Sequence, residues 1–343
     1  MPSKRRRVRT SLELAVALLR VVGALAALYL AWRAAVAALR IRWARNAYPV
    51  VSADVASVQG SRQDRIRGCL VGAALGDAVN LPAESVPKWL ARIRYPGPLA
   101  MRRGLLRFLR RPGDVSDDTQ LLIGVARSIF LNGECSHERF LDELGLWSYI
   151  RIGAGRACTQ SAIRARRHLP RRPSESCGNG AAIRVAPLAI AIAPSELVAI
   201  VEQNARATHD APLAVSGAVF QALLIRECLD GPAGLLEDSL AFDAAVARAT
   251  EKSGFPLATK TVASPSGHVA ECLPAVVAAL RIHGTDFSAA MLTAKWIVHA
   301  DAIDLSWRAC ERSVRGATRS ALREVSEQFL HRFTRIELVR YGS

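Results

Sequence analysis

The chain has no C-x-x-C pair, no cluster of histidines and no clear run of alternating apolar and polar residues. The first two absences exclude a zinc finger or ribbon and a His-based metal centre. The seven cysteines are Cys69, Cys135, Cys158, Cys177, Cys228, Cys272 and Cys310. They are odd in number and scattered through apolar stretches. That usage points to buried thiols in a reducing compartment, not to a disulfide framework. The third absence excludes half-buried strands. Acidic residues are also in deficit, with 30 Asp+Glu against 46 Lys+Arg and a net charge of +16. Residues 1–60 hold ten Lys/Arg and two Asp/Glu, so half of the excess lies in the first sixth. The remaining body, at about +8, is too diffusely charged to indicate nucleic-acid binding. It still favours the approach of an anionic substrate such as a diphosphate or nucleotide. With 23 Gly, 16 Pro and 22% charged residues, disorder is excluded as well.

What is present begins with MPSKRRRVRT and an Ala/Leu-rich stretch. From Leu14 to Trp32 the only charge is Arg20, and that length just spans a bilayer. Arg20 lies towards the N-terminal side, where its side chain can reach the interface. Arg20 and Arg33 interrupt the run in a way that suits a signal peptide poorly. Residues 1–45 are therefore expected to form a single membrane anchor or surface-bound helix, with residues 12–32 as the hydrophobic part. Basic residues flank it on both sides, so orientation is not readable. Residues 46–60, NAYPVVSADVASVQG, read as a linker.

From residue 61 onwards, apolar residues recur at spacings of three and four, as in LIGVARSIFL and AECLPAVVAALRI. Gly, Pro, Ser and Thr-His clusters punctuate the pattern. The spacing predicts one compact all-α domain over 61–343, with function where the punctuating loops converge. Four loops stand out. In RIRGCLVGAALGDAVNLPAESV, Gly68, Gly72 and Gly76 recur four apart before Asp77, and Glu84 follows on a Pro-containing loop. GDVSDDTQ places Ser116, Asp117 and Asp118 ahead of an apolar helix. As a helix start this supplies a cap and two acids at the positive end of the dipole; as a ligand set it supplies hard oxygens for a magnesium-type ion. CGNGAAIRVAPLAIA sets a tight Gly178-Asn179-Gly180 turn before a small-residue helix, where a ligand can approach the backbone closely and find N–H groups. ATHDAPLA offers Thr208 as a helix cap beside His209. The basic stretch RARRHLPRRP (164–173) reads as a solvated face.

In this order, G-x-x-x-G-x-x-x-G-D…P-x-E, S-D-D-T, G-N-G-A-A-x-R-x-A-P and T-H-x-x-P resemble the ADP-ribosylglycohydrolase family over roughly residues 64–330. The resemblance implies an all-α fold and a centre of one or two Mg²⁺ or Mn²⁺ ions. Ser116, Asp117 and Asp118 would be metal ligands, with Asp301 and Asp304 completing the set. In the family's second metal motif, G-G-D-x-D-T, this chain reads HADAID: His299 and Ala300 replace the glycines, Ile303 the second aspartate and Asp304 the threonine. Asp301 and Asp304 lie three apart and share a face if helical. Glu84, Asp117 and Asp118 would serve catalysis; Asp77, Gly178, Asn179, Gly180 and His209 would bind substrate. The implied activity is hydrolysis of the N- or O-glycosidic bond joining ADP-ribose to a protein side chain or small acceptor, in the cytoplasm or at the inner membrane. The altered second motif also fits a protein of this fold that binds ADP-ribose, or blocks an ADP-ribosylating toxin, without turnover. No nucleic-acid partner is expected.

Overall fold

The computed structural model describes residues 2–47, 62–83, 90, 93–94, 114–130, 136–232, 235–236, 238–258 and 266–284. Glu84, Asp301 and Asp304 lie outside these residues, as do Cys135, Cys310 and most of the expected linker. The chain divides into two units, residues 1–47 and the remainder. No strand occurs among the described residues, which is the all-α class the spacing predicts. Two isolated bridges, Ser174 with His209 and Gly178 with His268, are the only extended pairings in them.

The first unit is one continuous helix, α1 (Pro2–Ala47). Its Ala17–Arg40 window is apolar and wholly unburied. Tyr29, Trp32 and Arg33 form a small cluster on it. The two rings lie 6.1 Å apart, and the Arg33 guanidinium donates to the Tyr29 hydroxyl at 3.0 Å.

The second unit is built from α2 (Arg62–Asn80), α3 (Asp117–Phe130), α4 (His137–Ile150), α5 (Arg156–Arg166), α6 (Ala186–Ala191), α7 (Leu197–Ala205), α8 (Pro212–Asp230), α9 (Ser239–Ser253) and α10 (Val269–His283). Their ends follow from local chemistry. Ser136 caps α4 by accepting from the Arg139 N–H, and Asp238 caps α9 by accepting from Leu240 and Ala241. Gly254, at φ 64°, closes α9 in the left-handed conformation. Pro212 opens α8, where its fixed φ suits the first helical position and its missing N–H has no helical partner to lose. Thr208, expected as the cap before this helix, is not one; Ala211 holds that position and Thr208 is buried upstream.

Helix α8 is the centre of the body and packs against α6, α7, α9 and α10. Phe220, Phe242, Phe255, Val246, Val269 and Leu273 form its core, with the Phe220 and Phe255 rings 5.4 Å apart. At Gly217 a Cβ would lie 2.4 Å from Val269 Cγ2, so α8 and α10 meet at a distance only glycine allows. Gly145 similarly lets α4 close on the Arg166 backbone of α5, 3.1 Å from where a Cβ would sit. Gly68, in contrast, borders open space, so packing does not require its missing side chain. Helix α3 lies between α2, α4 and α6, which sets its N-terminus beside the end of α2.

Candidate active site

The site starts at the N-terminus of α3. Ser116 Oγ accepts the Asp118 N–H at 3.3 Å, a short-range cap. The stronger cap comes from another helix. Asp77, in the last turn of α2, places Oδ2 to accept from the N–H groups of Ser116 (2.8 Å) and Thr119 (3.2 Å) and from the Thr119 hydroxyl (2.7 Å). One carboxylate thus satisfies two orphan amides of α3 and ties α2 to it. Burial raises the Asp77 pKa above the usual carboxylate value, while these hydrogen bonds pull it back down. Asp77 is therefore a structural clamp on the acidic loop as well as a neighbour of it. Asp117 and Ser116 are buried, and Asp118 is exposed.

The 174–180 loop is stitched to two further segments. The Ser174 N–H donates to the Thr208 carbonyl (3.0 Å) and the Asp210 N–H to the Ser174 carbonyl (2.8 Å). The Asn179 N–H donates to the Gly267 carbonyl (2.8 Å) and the Val269 N–H to the Cys177 carbonyl (2.9 Å). These bonds bring His209 and the start of α10 up to the glycine turn. The Gly178 N–H is engaged by Ser176 Oγ at 3.2 Å. Two of the turn's amides, at Gly178 and Asn179, are thus spent internally and do not wait for a phosphate. The turn's contribution is close packing. A Cβ on Gly180 would lie 2.7 Å from Cys158 Sγ and 3.0 Å from His209 Cε1. The turn does not open a helix directly, since a 3₁₀ turn at Ala182–Arg184 precedes α6.

Arg184 holds this arrangement from below. It is fully buried. Its Nε donates to Asn204 Oδ1 (2.9 Å), one terminal nitrogen to the Gly180 carbonyl (2.8 Å) and Thr208 Oγ1 (3.0 Å), and the other to the Asn204 carbonyl (2.7 Å). The guanidinium also lies 5.0 Å from the Phe140 ring centroid. A buried cation is tolerable only when saturated in this way; burial still lowers its pKa to about 10. Thr208 Oγ1 accepts from Arg184 at 3.0 Å, lies 3.4 Å from the Ala205 carbonyl, and shares a hydrogen bond of 2.8 Å with His209 Nδ1. Burial and the Arg184 charge push the His209 pKa down to about 4, so at neutral pH the ring is uncharged, with Nε2 facing Gly178 and Gly180. Cys158, on the first turn of α5, is inert: burial raises its thiol to about 11.

The structure therefore brings Asp77, Ser116, Asp117, Gly180, Cys158 and His209 together, with Asn179 and Gly178 at the edge against α10. Sequence reasoning missed Arg184, Cys158 and Asn204. Arg184 had a signal: it is the single charge in the apolar run AAIRVAPLAIA, where only a buried structural role explains it. Cys158 and Asn204 had none.

The donor set fits a hard cation in part. Asp117, Asp118 and Ser116 offer oxygen, while the nearby sulfur is a protonated thiol and the nearby Nδ1 is occupied, so a soft-metal site is disfavoured. Among the described residues no group of three His, Cys, Asp or Glu gathers closely enough to hold an ion unaided.

Known proteins match this chain. The family model for ADP-ribosylglycohydrolase matches residues 59–296. The chain is 29% identical over 186 residues to the ADP-ribosyl-[dinitrogen reductase] glycohydrolase of Rhodospirillum rubrum, covering 50% of this chain and 60% of that protein. It is 30% identical over 176 residues to an uncharacterized protein of Archaeoglobus fulgidus, covering 48% and 55%. The chain thus spans little more than half the length of these relatives. A solved structure titled ADP-ribosylglycohydrolase-related protein complex superposes with a TM-score of 0.51 at 23% identity, over 79% of this chain and 97% of that one, a likeness of fold. With more than half of its length matched by the family model, around the loops that converge here, the chain belongs to the ADP-ribosylglycohydrolase family.

Proposed function

We propose that this protein hydrolyses the glycosidic bond between C1 of the distal ribose of ADP-ribose and a protein side chain or small acceptor. The observation that carries the reading is the approach of the acidic start of α3, whose Asp117 and Asp118 raise the Cys158 pKa, to the Gly180 turn and the neutral His209 ring packed on Cys158. Asp117, Asp118 and Ser116 would hold Mg²⁺ or Mn²⁺, which when bound supplies a Lewis acid and a water of lowered pKa. Asp301 and Asp304 would add oxygens to the same set, and Glu84 would lie near the scissile bond. Cleavage passes through an oxocarbenium-like state, so the carboxylates of Asp117 and Asp118 stabilise the positive charge that develops on the ribose. One of them takes the proton of the attacking water. His209 donates through Nε2 to an oxygen of the diphosphate or ribose. The first turn of α5, whose Gly155 cap makes no side-chain hydrogen bond and borders open space, favours a diphosphate through its free amides and dipole.

The test is release of free ADP-ribose from peptides ADP-ribosylated on arginine or serine, in Mg²⁺, Mn²⁺ or EDTA. The expected result is release in Mg²⁺ or Mn²⁺ that EDTA abolishes, on one linkage more than the other. Binding of ADP-ribose without release in any metal would sink the hydrolase reading and leave a binding or toxin-blocking protein of this fold.

Helix α1 is the proposed membrane anchor. Its apolar run from Leu14 to Trp32 is about 28 Å long at 1.5 Å per residue, just enough for a bilayer core of about 30 Å, and Tyr29, Trp32 and Arg33 fall at its C-terminal end. Tyr29, Trp32 and Arg33 are of the type that settles at the headgroup level. The domain would then work at the cytoplasmic face of the inner membrane. The full chain should float with liposomes and resist carbonate extraction, and a chain lacking residues 1–47 should stay in the soluble fraction. Equal flotation of both would refute the anchor.

A further inference from the structure

A cavity of about 330 Å³ lies between α4 and the C-terminal half of α5, and none of the acids, glycines or His209 of the candidate active site lines it. Its volume suits a small organic ligand. Arg164, His168, Arg171 and Arg172 line it together with Glu138 and Asp142.

Arg164 is half-buried and Arg171 and Arg172 are exposed, so their guanidiniums meet at the mouth of the cavity. Arg127, Arg206, Arg226, Arg248 and Arg281 each pair with a carboxylate. Among the described residues none of the cavity's three arginines forms such a close ion pair, although two carboxylates share the cavity and the Arg171 charge helps to lower the Glu138 pKa. Arg164 Nε donates to the Pro170 carbonyl at 2.9 Å. Arg171 contacts the ring of His137, which burial and the Arg171 charge itself keep neutral. Arg172 has no hydrogen-bond or ion-pair partner among the described residues. The loop carrying them is fixed, not slack. His168 holds the left-handed conformation at φ 51°, a position that costs a non-glycine residue strain. The Leu169 N–H donates back to the Arg164 carbonyl at 3.0 Å, turning 171–172 towards α5.

Guanidiniums gathered in a concave site, with no close ion pair among the described residues, match the oxygens of a phosphate group, which accept several N–H bonds at once. The carboxylates on the same wall cannot serve an anion; they serve hydroxyl donors. Glu138 already accepts from the Ser136 hydroxyl at 3.0 Å, which shows the kind of donor it takes. We propose that this cavity is a second ligand site, for a small phosphate ester that also carries hydroxyl groups, such as a sugar phosphate: the phosphate on Arg171 and Arg172, the hydroxyls on Glu138 and Asp142. The proposal does not rest on the hydrolase reading.

The experiment is calorimetric titration of the detergent-solubilised full chain with ribose 5-phosphate, and in parallel with inorganic phosphate, at constant ionic strength. The ester should bind saturably and at least tenfold more tightly than inorganic phosphate. Arg172→Glu should weaken ester binding at least tenfold with no change in the melting temperature of the unliganded protein, because among the described residues that side chain has no partner to lose. Asp117→Asn should leave ester binding unchanged. No saturable binding overturns the proposal, and so does binding that Arg172→Glu leaves intact or that Asp117→Asn removes. Equal affinity for ester and inorganic phosphate overturns the role given to the carboxylates.

Discussion

Replacing Asp117 and Asp118 together with alanine should lower ADP-ribose release at least about 100-fold, since the loss of carboxylates facing a developing charge costs about 2–3 orders of magnitude. Stability should change by only about 1 kcal/mol. First-turn acids stabilise a helix by a few tenths to about 1 kcal/mol each, and the relief of repulsion between the neighbours offsets part of that loss. The main cap of α3 also survives, because it comes from Asp77 and not from the acid pair. Release rates from ADP-ribosylated peptide at saturating Mg²⁺, read beside urea midpoints for both proteins, separate the two effects. A double variant that keeps wild-type release would remove these residues from the chemistry.

Arg184→Met should do the opposite, damaging the fold more than any substitution at the acids. The methionine chain fills much of the same volume. It leaves the Gly180 and Asn204 carbonyls, Asn204 Oδ1 and Thr208 Oγ1 without their donor in a buried place. At about 1–3 kcal/mol for each uncompensated polar group, and allowing for relaxation, the loss is about 3–5 kcal/mol. Lysine should not rescue it, because an ammonium lacks the planar fork that serves Asn204 twice and Gly180 and Thr208 once each. Chemical denaturation should show both midpoints well below wild type. In any Arg184→Lys protein that does fold, the His209 pKa should still lie below its ordinary value, since burial is the larger cause of the shift. A methionine variant within about 1 kcal/mol of wild type would show that the network is dispensable.

The helical class and the four loops were legible because their signals are local: apolar residues at three and four, glycines at turns, a hydroxyl and two acids before an apolar run. Ser116 and its acids lie at the start of α3 for the reasons the stretch itself contains. What the sequence could not show is partnership at a distance. Asp77 caps a helix that begins 40 residues later. Thr208 looks like a cap because caps and buried relays use the same hydroxyl; only the position of Arg184, 24 residues away, decides between them. The glycine turn looks like a phosphate cradle because its amides are invisible to a reading of residue types. Ser176 engages one of them locally, but the engagement of Asn179 by Gly267 depends on a segment about 90 residues further along the chain.

Helix α8 has a consequence for how this protein is made. It is the buried axis of the body, yet its 19 residues are long and apolar enough to cross a membrane by themselves. The insertion machinery weighs a linear segment as it emerges, before any tertiary neighbour exists to cover it. If α1 brings the nascent chain to that machinery, α8 becomes a competing candidate for lateral exit into lipid, and the two destinations exclude each other. Its fate is settled by a race between burial, completed by Val269 and Leu273 only after α10 is synthesised, and partition into the bilayer. Arg226, near the end of α8 and bound to the Ala189 and Ile192 carbonyls in the folded state, weighs against the lipid outcome. One residue anchors the finished fold and, if α1 does bring the chain to the membrane, would help protect the unfinished one.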